Sequence, residues 1–294
     1  MVLVLTGVCP VIAAAADPPA GTRLRIVTTI LPLYCFARNV AGDDAVVENL
    51  LPPGVEPHDF QFTPREMRLL AGADVLLMNG LGLETWLDRV LAGSEKPHRV
   101  VVATDGMTAE LIAGAGEAGP NARAGSANPH FWQDPTLAAR AVTNLLTALQ
   151  AADPAHAAAF ARNAARYGAE LAALDVELQT GLAPLKNQPI LTFHDAFPYF
   201  ARRYGLRVAG VVEPVPDLPP SPRQVAALGA LIRREHLRVV FAERQSPARV
   251  VEMLGRDYHV AVAYLDPLET GAFAPEAYTR GMRENLHALT GAPR

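Results

Sequence analysis

From Leu24 onward the chain alternates short β-branched runs with segments whose apolar residues recur at helical spacing. That alternation confines the fold to parallel sheets wrapped by helices, since a parallel strand must be followed by a crossover long enough to hold one. Residues 24–30 read as a strand. Pro32 opens a helix in which Leu33, Phe36, Ala37 and Val40 share a face until Gly42 stops it. Residues 45–51 form the next strand. Thr63-Pro64-Arg65-Glu66 joins a capping box to a proline at the first helical position, and residues 74–78 and 99–103 read as two more buried strands. The first half is thus expected to run βαβαβαβ.

Residues 113–127 are rich in Gly, Ala and Pro without apolar period and read as a surface loop. Asp134-Pro135 caps a helix, and a long Ala-rich helical pattern without internal proline follows over residues 154–181. The second half repeats the grammar of the first. Strands are expected at 189–193, 207–213, 238–242 and 259–265, with Ser221-Pro222-Arg223-Gln224 as a further capping box. The fold class is therefore α/β, in two lobes over residues 22–150 and 187–294, joined by a helical connection over residues 151–186. Clefts between such lobes are where small ligands usually bind.

A chain of 294 residues can bury a core in each lobe without metal or disulfides. A net charge of −4, with 19% charged residues and no basic stripe, excludes a nucleic-acid partner. Residues 1–16 are apolar, uncharged and end in small residues, as a secretory signal does, which places the mature protein in the periplasm. Cys9 offers a lipid-anchored extracellular form instead, but Val8 stands where a lipoprotein signal wants a small residue. No later stretch reaches the ~20 apolar residues of a membrane span. Cys35, at helical spacing with Leu33, Phe36 and Val40, reads as a buried small hydrophobe.

In open parallel sheets, ligands are held by residues just past the carboxyl ends of strands. His58 lies beyond the second strand through the turn Pro52-Pro53-Gly54, His194 directly after the strand at 189–193, Glu243 after 238–242, and Asp266 after 259–265. His130 joins them from the loop Asn128-Pro129-His130-Phe131-Trp132. Three imidazoles and one carboxylate make a tetrahedral shell suited to Zn2+, and four protein ligands leave no position for a reactive water. Binding rather than catalysis is the natural product of a closed shell. Asp266-Pro267 can equally be a helix-initiating turn, and Glu243 a structural partner of Arg244 or Arg249. His98, His156, His236, His259 and His287 fall beside strands, on helix faces or at helix ends, where a solvated or capping role is the default.

The stretch from Leu51 to Phe60, LPPGVEPHDF, resembles the hallmark of the zinc and manganese class of periplasmic solute-binding receptors of ABC importers. Asn79-Gly80-Leu81-Gly82-Leu83-Glu84-Thr85-Trp86, Asn128-Pro129-His130-Phe131-Trp132, Thr192-Phe193-His194-Asp195-Ala196-Phe197 and Asp266-Pro267-Leu268 resemble that family's other blocks in order. The resemblance implies two lobes bridged by a rigid helix, small motions on binding, and metal held by His58, His130, His194 and Asp266. It also implies a membrane permease as partner, no enzymatic activity and a monomeric receptor, with Glu243 orienting a ligand or competing as one.

Manganese-type members resemble this chain but carry a carboxylate where His194 stands, and softer imidazole ligands favour zinc over manganese. Zn2+ is the expected cargo; Mn2+ or iron is the alternative on the same scaffold. The zinc-type members' histidine-rich loop has no counterpart, since residues 113–127 contain no histidine. A surface adhesin built on this scaffold would need the lipid anchor. A zinc hydrolase would use Asp266 or Glu243 as general base, but no HExxH motif supports it.

Overall fold

The computed structural model describes residues 23–58, 60–93, 99–114, 127–214, 219–244 and 249–293. The expected signal with Cys9, His98, and most of the expected loop at 113–127 lie outside the described residues. The ends of that loop are held by an antiparallel bridge between Ala113 and Ala127.

The first half runs β1 (Leu24–Thr28), α1 (Leu31–Ala41), β2 (Ala45–Asn49), α2 (Pro64–Gly72), β3 (Val75–Met78), α3 (Thr85–Ala92), β4 (Arg99–Val102), as the alternation predicts. Its four parallel strands are ordered β2-β1-β3-β4. Two long helices follow, α4 (Pro135–Ala152) and α5 (Ala157–Leu182). The second half repeats the pattern with β5 (Pro189–Thr192), α6 (Pro198–Tyr204), β6 (Arg207–Val211), α7 (Pro222–Arg234), β7 (Val239–Ala242), α8 (Arg249–Tyr258), β8 (Ala261–Tyr264) and α9 (Ala277–Gly291). Its sheet, ordered β6-β5-β7-β8, has the strand order of the first and is also parallel throughout.

The helix starts follow local chemistry. Thr63 and Ser221 form complete capping boxes with Glu66 and Gln224, and Asp134 caps α4 through the Thr136 amide. The 26 residues of α5 begin three later than expected, because Asp153 caps a short 3-10 turn over Pro154–His156. Strand ends also fall inside the expected ones. β2 stops at Asn49, whose side chain takes over the hydrogen bonding of the turn, donating to the Thr29 and Leu51 carbonyls. β8 starts at Ala261 because His259 has a φ of 54°, outside any strand conformation.

Alternation along each strand assigns its two faces to different cores. Leu24, Ile26, Val75 and Leu77 point into the large central core, whereas Val27 and Leu76 face a smaller one beneath α2 and α3. In the second sheet Ile190 and Phe241 face the same central core, and Leu191, Val240 and Ala242 an outer one with α7 and α8. The central core is continuous through α1, α4, α5, α6 and α9, with Trp132, Tyr167, Tyr199 and Tyr278 fully buried in it. Cys35 lies in this core, its thiol pushed up to about 12 by burial, as its helical spacing predicts. Pulling the halves apart would therefore expose apolar surface at ~25 cal/mol per Å².

Candidate metal centre

The turn carrying His58 leaves β2 and is pinned from three sides. Asn49 holds its start; the Gly54 amide donates to Thr270 Oγ1 at 2.5 Å; and Trp86 Nε1 donates to the Pro57 carbonyl at 2.8 Å. Trp86 packs edge-on against Phe60, with ring centroids 5.0 Å apart. It lies in the first turn of α3, which follows a turn where Gly80 has a φ of 83° and a Cβ would meet Val102 at 2.6 Å. Glu84, buried among the Thr29 hydroxyl and the Asn79 and Gly80 amides, fixes that turn; burial pushes its carboxyl up to about 7.

His130 is wholly buried at the start of the 3-10 turn Phe131–Gln133, just before α4. Asn128 Oδ1 accepts from the His130 amide at 3.0 Å and faces its Nδ1 at 2.9 Å. The Asn128 Nδ2 group donates to the backbone carbonyl of Asp195 at 2.7 Å and to its Oδ2 at 3.1 Å. A flipped amide would set donor against donor at the His130 amide, so the orientation is forced and Nδ1 of His130 carries a proton. One neutral side chain thereby ties the His130 loop to the residue after His194.

His194 follows β5 after Phe193. Its Nδ1 lies 2.7 and 2.8 Å from the two oxygens of Glu243, which follows β7 immediately. Burial opposes charge on His194, but the Glu243 carboxylate outweighs it and holds the imidazolium well above the ordinary range. Glu243, expected either to orient a ligand or to compete as one, is the partner of this ring.

With both Nδ1 atoms engaged, the two rings turn Nε2 toward one point. His130 and His194 Nε2 are 3.2 Å apart. Glu269 Oε1 lies 2.7 Å from His130 Nε2, 3.4 Å from His58 Nε2 and 3.8 Å from His194 Nε2. One donor atom from each of these four residues falls within 4.8 Å of all the others. A tetrahedral ion with bonds of ~2.0–2.2 Å requires donor–donor edges of about 3.3–3.6 Å, close to three of these separations. The short fourth is a hydrogen bond that a cation would replace. Burial raises the Glu269 carboxyl, but hydrogen bonds from His130, His194 and His58 hold it well below the carboxylate range. Partial burial and the Glu269 charge push the nearby Glu56 up to about 7.

The structure sets one expected ligand apart from the other three. Asp266 is not in the converging group; its Oδ1 accepts from the Leu268 amide at 2.7 Å, and its backbone is gripped on both sides by Asn285. Leu268 takes a φ of 64°, so the turn bends back and presents Glu269 instead. The sequence marks Asp266-Pro267 as a turn but carries no signal for which carboxylate that turn delivers. The segment beyond it crosses to the first half: Leu31 donates to the Glu269 carbonyl, Asn39 to that of Pro275, and Phe273 packs on Tyr34. Trp132 and Gln133 both donate to the Pro267 carbonyl.

Two like-folded α/β lobes closing on a ring of imidazoles define a two-lobed solute-binding protein. A family profile described as "ZnuA: Zinc-uptake complex component A periplasmic" matches residues 26–292, and the chain belongs to that family. It is 30% identical to the zinc-binding lipoprotein AdcA of Streptococcus pneumoniae over 98% of its own length, spanning 60% of that relative. It is 35% identical to the iron-binding protein YfeA of Yersinia pestis, over 87% of this chain and 82% of the relative. The structure of the Pseudomonas aeruginosa solute-binding protein FpvC in complex with Mn2+ superposes with a TM-score of 0.83 at 31% identity, covering 92% of this chain and 98% of that one.

Proposed function

We propose that this protein is an extracytoplasmic receptor that captures Zn2+ and delivers it to the permease of an ABC importer. The observation that carries this reading is the convergence of three imidazole Nε2 atoms and one carboxylate oxygen within 4.8 Å in a buried cleft. Imidazole-rich sites favour zinc over manganese, whereas a hard ion would want more oxygen donors. We assign His58, His130, His194 and Glu269 as the ligands, with Glu243 and Asn128 orienting two of the rings. The lobes are taken as residues 22–150 and 187–294, with residues 151–186 linking them.

Capture replaces the ion's water shell with neutral imidazoles and an ionised Glu269, and displaces the proton shared between His130 and Glu269. The continuous central core supports small loop adjustments over a wide hinge motion. Release would follow when docking on the permease loosens the segment that carries Glu269. No helix among the described residues is long and apolar enough to cross a membrane. The family is described as periplasmic and the pneumococcal relative as a lipoprotein. Export to the periplasm through residues 1–16 is the placement proposed for this chain.

The test is competitive binding of zinc, manganese, iron and copper to the demetallated protein. Tight one-to-one zinc binding, lost in His194→Ala and Glu269→Ala, supports both the receptor and its ligands. A preference for manganese or iron would move the cargo to the alternative on the same scaffold, and indifference to all four metals would remove the function.

A further inference from the structure

At the opposite end of the second sheet, where β7 and β8 begin, lies a groove of ≈ 550 Å³ that the metal centre does not use. Arg233, His236, Arg238, Tyr258 and His259 wall it, over an apolar floor that includes Leu237 and Val260. We infer that this groove is a second ligand site, for a phosphate-bearing anion.

None of the described residues lining it is acidic. Among the described residues no carboxylate pairs with Arg233 or Arg238, although Arg203, Arg207 and Arg283 each have one. Glu235, the residue after α7, is held by Arg207 and Arg234. On a chain of net charge −4 this is a local concentration of unneutralised donors. Such a groove focuses anions, and guanidinium forks match phosphate oxygens.

The cationic wall is built rather than incidental. Arg233 lies over the Tyr258 ring, 5.2 Å from its centroid. Tyr258 in turn fits against Gly229, where any Cβ would come within 1.9 Å of its hydroxyl. A glycine inside α7 weakens the helix against alanine, and here it makes room for the ring that carries Arg233. His236 and His259 each sit just past a helix, at φ 52° and 54°, with Leu237 and Val260 donating back to Ile232 and Gly255. Glycine normally fills that position. The attraction of cations to helix C-termini accounts for Arg233 and the two histidines one at a time. It accounts neither for Arg238, which precedes β7, nor for the missing carboxylates.

The four residues of β7 separate the groove from Glu243 by about 13 Å, so an anion here does not touch the metal ligands. The apolar floor suits the organic part of a phosphate ester, and that phosphate can belong to a small solute or to a lipid headgroup.

The experiment is calorimetric titration of the full chain with inorganic phosphate, beside flotation with phosphatidylcholine vesicles with and without phosphatidylglycerol. Arg233→Glu with Arg238→Glu should lower affinity about tenfold per guanidinium, with zinc affinity unchanged. His236→Gly with His259→Gly should also weaken binding while leaving the thermal midpoint equal or higher, because glycine suits both backbone positions. Saturable phosphate binding without flotation identifies a soluble ester, and flotation only with the anionic lipid identifies a headgroup; both support the site. Absence of binding in both assays, or binding that survives the arginine reversals, overturns it.

Discussion

The two halves share one strand order but serve the metal centre by opposite means. The second half places His194 and Glu243 just past the ends of β5 and β7, where the sheet itself fixes them. The first half delivers His58 and His130 on loops, held by Asn49, Trp86, Thr270 and Asn128. The electronics divide likewise: the His194 ring leans on a carboxylate, that of His130 on a neutral amide. A side chain on a strand end needs little support, whereas one on a loop needs a clamp for each degree of freedom.

The largest effect should come from the ligands the two halves share. Glu269→Ala is expected to weaken zinc binding beyond the roughly 10–100-fold typical of an orienting group, and Asp266→Asn to stay within that range. Direct titration of both variants checks which carboxylate the turn delivers; the reverse order would restore Asp266 as ligand.

Next in size is the charged support. Glu243→Gln should cost about 10–100-fold in zinc affinity. It should also lower the pH at which that affinity falls. The His194 imidazolium is held well above 6.5, so its contribution to the metal-free fold is complete below that value and lost as pH rises through the raised one. Zinc must displace this proton, so affinity climbs with pH across the same window, and removing the Glu243 charge moves the window down. Proton release measured in two buffers of different ionisation heat reads the shift.

Making the halves alike is a sharper test. Asn128→Asp would give His130 a charged acceptor too and move the affinity window up. It also places a carboxylate against Asp195, so the metal-free protein should melt earlier; a rise in melting temperature would contradict the forced amide orientation. Glu269 works in the other direction: its contribution is present above 4.5 and lost only as pH falls through its depressed value.

The smallest effect belongs to a single clamp. Thr270→Val removes the acceptor of the Gly54 amide, at about 1 kcal/mol, and should speed amide exchange over residues 52–58 while sparing residues 189–194. Equal protection in both segments would show that the His58 loop does not depend on it.

Much of this was legible in the sequence. The βα alternation, both capping boxes, the Gly42 stop and the strand-end positions of His194 and Glu243 depend on neighbours in the chain and can be read there. His58 and His130 were candidates by their loop positions, and the resemblance blocks then implied them as ligands. Strand limits were less legible, because Asn49 and the left-handed His259 end strands through side-chain and backbone conformation that β-propensity does not encode.

The order of helices and strands, their caps and their buried faces were settled by the sequence alone, because short-range sterics and hydrophobic period act within a few residues. Three features were decided only by the tertiary structure. These are the choice of Glu269 over Asp266, the Asn128 tie between two distant histidine loops, and the crossing segment that clamps Gly54 through Thr270. Each depends on groups tens to hundreds of positions apart meeting in a buried cleft, where an unpaired polar atom is costly and only the assembled fold determines which partner is near.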